Sequence, residues 1–183
     1  MIADDDTKPP RSRAGEYAAR YELLTSFELA APREAVDLAI REVAAWPSWW
    51  RGCLAVAELA KGDERGLGSR HRVTWRSRLP YELTIEAEVT EIVRGERIVV
   101  ASGGDLDGLG TWTFTDTDTG TRVQYLWQVA TRKRWMRLLA PLLNPLFRLN
   151  HDWLMDEGAQ GLARHLGVAA PRVAHDAGGT TLG

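Results

Sequence analysis

The stretch RWMRLLAPLLNPLFRLNHDWLMDEGAQGLARHL, Arg134 to Leu166, decides the fold. No cluster of turn residues breaks it. Leu139, Leu142, Leu143, Leu146, Phe147, Leu154, Leu162 and Leu166 recur in it at helical spacing. Pro141 and Pro145 are expected to kink or interrupt its first half. That leaves a straight segment from Leu146 to Leu166, roughly 30 Å long at about 1.5 Å per residue, with Gly167 as the stop. The chain before it, from about Tyr17 to Ala130, reads mostly as strands. A long amphipathic helix that follows antiparallel strands has a sheet on which to bury its apolar face. The expected architecture is a curved sheet around this helix, with a pocket between them.

Working outward, Thr121 to Ala130 puts Val123, Tyr125, Trp127 and Val129 on one face. Thr111 to Asp116 does the same with Trp112 and Phe114, and the turn Asp116 to Gly120 joins the two. Ser102 to Gly110 reads as a glycine-rich rim loop, preceded by a strand at Arg97 to Ala101. Tyr81 to Val93 is the cleanest strand, with Tyr81, Leu83, Ile85, Ala87 and Val89 inward and Glu82, Glu86 and Glu88 outward. Ser69 to Arg78 turns His71, Val73 and Trp75 inward. Its outward arginines predict cross-strand ion pairs with those glutamates. Leu54 to Leu59 is a further strand, and Tyr17 to Leu29 is a long half-buried one that points Tyr21, Leu23, Thr25, Phe27 and Leu29 the same way. Between these two, Ala31 to Val43 reads as a helix with Val36, Ile40 and Val43 inward. It is expected to stop at Trp46-Pro47, because a residue before proline is pushed out of the helical region. Ser48-Trp49-Trp50 begins a second, very short helix.

The 183 residues suit one domain. Residues 16–168 form it; 1–15 and 169–183 are expected to be disordered N- and C-terminal tails by composition. Hydrophobic residues at 44% and charged residues at 26% are the balance of a globular chain, and a net charge of −2 gives no global attraction for nucleic acid. The single cysteine, Cys53, excludes an internal disulfide and fits a cytoplasmic location. No apolar run is long enough to span a bilayer. Eight tryptophans exceed what a sheet–helix core needs, and large flat side chains often line apolar pockets.

Three motifs carry a resemblance. Pro32 to Trp50 is a pair of short helices ending in Trp46-Pro47-Ser48-Trp49-Trp50. Gly66-Leu67-Gly68-Ser69-Arg70 opens a strand, and Gly110-Thr111-Trp112-Thr113-Phe114 with Gly120-Thr121-Arg122-Val123 forms the last hairpin. In this order, over about residues 17–167, the chain resembles the START-like helix-grip (SRPBCC) superfamily and, within it, the polyketide cyclase/dehydrase-like branch. The resemblance implies an α+β helix-grip fold: about seven antiparallel strands curved around a long C-terminal helix, two short helices after the first strand, and an apolar cavity between sheet and helix. It implies no reaction, because the superfamily includes lipid carriers, hormone receptors, cyclases, stress proteins and chaperone activators.

Candidate chemistry in the sequence is sparse. There is no zinc-ligand spacing, Gly-x-Ser-x-Gly elbow or phosphate-binding glycine loop, so neither metal nor cofactor is expected. His71 is the weak catalytic candidate: on an inward face it serves as an acid, a base or a ligand hydrogen bond, or else as a core histidine bonded to a neighbour. Tyr81 and Tyr125 carry hydroxyls on inward faces, and Asn150 and Thr25 are polar groups on apolar faces. Trp75, Trp112 and Trp127 share the concave face as stacking platforms for aromatic or sterol-sized guests, or as core; Phe147 and Leu154 face them from the helix. The expected function is binding of a small hydrophobic ligand, aromatic, polyketide-like or isoprenoid. The alternatives are an aromatase/cyclase acting on a polyketide-like chain, and a quinone or lipid chaperone whose Arg132, Lys133 and Arg134 touch an anionic membrane transiently.

Overall fold

The computed structural model describes residues 20–78, 82–131 and 140–177. The N-terminal tail at 1–15, Tyr81 and the basic run from Arg132 lie outside them. In chain order the elements are β1 (Arg20–Leu29), α1 (Arg33–Arg41), a 3-10 turn (Val43–Ala45), α2 (Trp46–Trp49), β2 (Cys53–Ala60), β3 (Arg70–Arg76), β4 (Glu82–Val93), β5 (Arg97–Gly104), β6 (Leu106–Thr117), β7 (Gly120–Thr131), α3 (Ala140–Leu166) and β8 (Val173–Ala177). The strands form one antiparallel sheet in the order β2-β3-β4-β5-β6-β7-β1-β8. This is the helix-grip α+β fold.

Strand alternation sets the two faces. In the β3–β4 pair Arg72 stands opposite Glu86 and Arg76 opposite Glu82. Both pairs close as ion pairs, the first at 2.6 Å. They are exposed and report register more than stability. Leu83, Ile85, Ala87 and Val89 face inward until a bulge between Val89 and Glu91 shifts the phase to Ile92.

Four local expectations are corrected. The first helix ends at Arg41, not at Trp46-Pro47. Glu42 leaves helical geometry at ψ 60°, whereas Trp46 is helical at φ −52°, ψ −42° and opens α2, with Pro47 in the first turn where its missing N–H costs nothing. The glycine-rich loop is mostly strand: β5 runs to Gly104 and β6 starts at Leu106. Gly108 is needed inside β6, because a Cβ there would overlap the Gln128 carbonyl oxygen. The helix is continuous from Ala140 through Pro145, so the interruption expected there does not occur; Pro145 removes one backbone bond of the ladder without ending it. Its stop is as expected: Gly167, at φ 70°, ends a motif in which the Val168 N–H donates to Ala163 and the Gly167 N–H to Arg164.

The fourth correction concerns the C-terminal tail. Residues 173–177, read from composition as disordered, form β8 and pair with β1 from Leu23↔Ala177 to Phe27↔Val173. Without β8, β1 would present a row of unpaired backbone groups at the sheet edge. A five-residue strand with alanines has little propensity of its own and forms because that edge is there.

Two glycines decide how the short helices meet α3. A Cβ on Gly158 would lie 2.6 Å from Cζ2 and Nε1 of Trp50, and one on Gly161 would overlap the Trp49 carbonyl. Trp50 therefore lies flat on α3, its indole N–H donating to the Leu154 carbonyl at 2.8 Å. One core cluster joins α1, α2 and the second half of α3 through Val36, Ile40, Trp50, Trp112, Phe114 and Leu162. A second, at the other end, joins Tyr21, Leu23, Ile85, Leu106 and Trp127, with Phe147 packed against it.

Candidate functional site

Between sheet and α3 lies a cavity of about 170 Å³, walled by members of both clusters. The sheet supplies an aromatic wall. Trp112 stacks on Tyr125 at 4.2 Å, Tyr125 on Trp127 at 5.7 Å, and Trp50 meets the edge of Trp75 at 5.0 Å. Gly110 makes this wall possible: a Cβ there would sit 2.6 Å from the Tyr125 hydroxyl and 3.0 Å from the Trp127 ring. The helix wall consists of Phe147, Asn150, His151, Leu154 and Met155.

Of the residues singled out in the sequence, His71, Trp75, Trp112, Tyr125, Trp127, Phe147, Asn150 and Leu154 line this cavity. Thr25 does not. It is fully buried on the inner face of β1, but its hydroxyl meets His175 Nδ1 of β8 at 3.1 Å. Tyr81 lies outside the described residues. Trp46 and Trp50 also border the cavity, while Trp49 packs beside His165 at 5.9 Å.

Burial tunes the titratable groups. It lowers the His71 pKa, opposed by the charge of Glu58, which stands opposite His71 in the β2–β3 pair. It pushes the Tyr125 phenol well above its ordinary value, so the hydroxyl keeps its proton. It pushes the Cys53 thiol up to about 12, which leaves this buried cysteine inert as a nucleophile. Among the described residues no group of three His, Cys, Asp or Glu side chains is placed to hold a metal ion, and no helix is long and apolar enough to cross a membrane.

The sequence reading missed His151. Its side chain is only 10% exposed, and Nδ1 lies 3.4 Å from Asp152 Oδ1. Nε2 is buried without a hydrogen-bond partner, as is Oδ1 of Asn150. The signal was present: Phe147, His151, Leu154 and Met155 fall on one helical stripe at i, i+4, i+7 and i+8.

This fold recurs in solved structures. A START superfamily protein from Mycobacterium smegmatis superposes with a TM-score of 0.66 at 14% identity, over 80% of this chain and 97% of that one. TTHA0849 from Thermus thermophilus gives 0.60 at 21%, over 79% and 96%. The di-domain ARO/CYC StfQ from the steffimycin biosynthetic pathway gives 0.60 at 16%, over 82% of this chain but 53% of StfQ, so the chain spans about half of that protein's length. A comparison with curated proteins found no match. The protein is thus a START-like helix-grip domain of the polyketide cyclase/dehydrase-like branch. Residues 22–167 match the family model for polyketide cyclase/dehydrase and lipid transport, and the chain belongs to that family.

Proposed function

We propose that the protein binds a small hydrophobic, aromatic molecule in the cavity between the sheet and α3. One observation carries this reading: a cavity of about 170 Å³ bounded on one side by stacked Trp112, Tyr125 and Trp127. Flat faces in series favour a flat guest held by buried apolar area and ring contact. The volume lies near that of an apolar cavity of ~150 Å³ that accepts benzene and below the ~300–1,000 Å³ of drug-sized sites. That favours one or two rings over a sterol. The test is native mass spectrometry of protein purified from its own host, followed by extraction of whatever is bound. A stoichiometric aromatic molecule is the expected result; repeatedly ligand-free protein that also fails to bind two-ring aromatics in titration refutes it.

A second reading, turnover of a polyketide-like chain by an aromatase/cyclase-type reaction, is favoured by His71. This histidine, which burial inclines to the neutral form, borders the cavity with the Glu58 carboxylate opposite. A neutral imidazole beside a carboxylate is suited to take a proton from an acidic C–H next to a carbonyl. The ARO/CYC designation of StfQ is consistent with it. Turnover of a polyketide-like substrate that His71→Ala abolishes is the expected outcome under this reading, and turnover untouched by that change removes His71 from it.

A further inference from the structure

The cavity wall carries permanent charge of one sign. Among the described residues that line it, Arg41 and Arg65 are cations and none is an aspartate or glutamate. Both stand at one end. Arg41 closes α1, and Arg65 lies in the turn between β2 and β3. That turn is tied to the bulge of β4: the Gly68 N–H donates to the Val89 carbonyl at 2.8 Å, and Gly66 faces Ile92. Val43, two residues beyond Arg41, packs on the same core cluster as Val89. This end reaches solvent, because Arg65 leaves 64% of its side chain exposed and Arg41 23%.

Each arginine is held by an aspartate of its own segment. Asp37 Oδ2 lies 3.0 Å from both Nε and Nη2 of Arg41. Asp63 Oδ2 accepts from Arg65 Nε at 3.4 Å and from Nη2 at 3.3 Å. A guanidinium carries five N–H donors. These contacts engage Nε and Nη2, and Nη1 of each arginine has no partner among the described residues.

We propose that Arg41 and Arg65 form an anion-binding subsite at this end of the cavity, so that the guest is a small aromatic acid. Its ring lies against Trp112, Tyr125 and Trp127, and its carboxylate meets the two guanidiniums. This rests on the binding reading above and names the chemical class of its ligand. A carboxylate deep in an apolar cavity is costly unless it is paired and hydrogen-bonded. Here the paired donors stand where the cavity meets water, so the ring is buried while the charge stays at the edge. The aspartates order both side chains beforehand, which reduces the entropy lost on binding. They also cancel much of the charge at a distance, so the preference is a contact effect. A cationic guest meets like charge and no acid in the wall.

The test uses three probes of nearly one shape, 2-naphthoate, its neutral isostere 2-naphthamide, and naphthalene, titrated against the full chain by calorimetry. The native protein is expected to bind 2-naphthoate about tenfold more tightly than 2-naphthamide, the worth of one charge-assisted hydrogen bond discounted for solvent. Raising the salt concentration narrows that ratio. Arg65→Gln lowers it further and leaves naphthalene binding unchanged; the turn keeps its form, because Asp63 still accepts from the backbone N–H groups of residues 65 and 67. Arg41→Gln alone would strand Asp37, whose side chain is 3% exposed, as a buried unpaired charge. The double variant Asp37→Asn/Arg41→Gln avoids this, and with Arg65→Gln added the ratio falls to about one. A merely structural role for the arginines would weaken all three probes together. If the native protein binds 2-naphthoate no tighter than 2-naphthamide, or the preference survives the triple variant, the subsite is refuted and the cavity reading stands. If none of the probes binds, both fall.

Discussion

Replacing Gly158 by alanine tests the packing that bounds the cavity, because two effects of known sign compete. In an exposed helix interior, glycine to alanine stabilises by about 1 kcal/mol. At Gly158 the new methyl would lie 2.6 Å from Cζ2 and Nε1 of Trp50. That ring cannot swing aside. Its N–H is bonded to Leu154, and it packs against Trp49 at 5.5 Å, Trp46 at 5.0 Å and Trp75 at 5.0 Å. Overpacking a tight site costs about 1–3 kcal/mol. Where the upper part of that range applies, as the immobile ring implies, the net effect is a loss of about 1–2 kcal/mol after the propensity gain. For a chain of this length that lowers Tm by about 2–8 °C. The assay is thermal unfolding by circular dichroism, with urea titration as a second measure and Gln160→Ala, exposed on the same helix, as control. The control is expected to change stability by less than about 0.5 kcal/mol. A Gly158→Ala protein with a raised Tm would mean that Trp50 does not lie on α3, and the cavity boundary derived from it would be wrong.

Gly110→Ala is expected to weaken binding of a two-ring probe, because the methyl drives the Tyr125 hydroxyl and the Trp127 ring inward; Gly103→Ala, whose Cβ meets only Asp107 Oδ1 at an ordinary 3.7 Å, serves as control, and equal affinities for both variants refute the geometry. The lowered pKa of His71 makes stability depend on pH. As pH falls, the unfolded chain takes up this proton first, so the contribution is full above the ordinary value of 6.5 and is lost as pH falls through it toward the folded value. Urea midpoints at pH 7.5 and 5.5 should therefore drop more for the native protein than for His71→Gln, and equal drops contradict the burial of that ring. The run Arg132 to Arg137 lies just before Leu146 and Leu149, of which Leu149 is 67% exposed. If the chaperone reading holds, vesicles containing phosphatidylserine bind the native chain and not Arg132→Glu/Arg134→Glu; absence of binding by the native chain removes it.

The periodicities were legible in the sequence because they are one-dimensional. Alternation along Arg70 to Arg76 and Glu82 to Val89 assigns each side chain to a face without knowledge of the partner strand, and the charges on the outer face then predict the register. The helical stripe through Phe147, Leu154 and Leu162 assigns α3 to the sheet in the same way. Most of the cavity wall follows from these two patterns. What tertiary structure alone decided depends on which groups end up adjacent across long separations. β8 exists because β1 has a free edge, and no property of residues 173–177 in isolation announces it. Thr25 lies on the inner face, as alternation requires, yet its hydroxyl belongs to His175, 150 residues away, and not to the cavity. Gly110 and Gly158 read as weak points of a strand and a helix until the rings opposite them are known. His151 becomes notable only through what its two nitrogens meet: a carboxylate on one side and no partner on the other. Local pattern determines which face a residue takes. Whether a polar atom on that face is satisfied is settled by its neighbours in space, and that is why the fold was readable from the chain and the unpaired atoms of Asn150 and His151 were not.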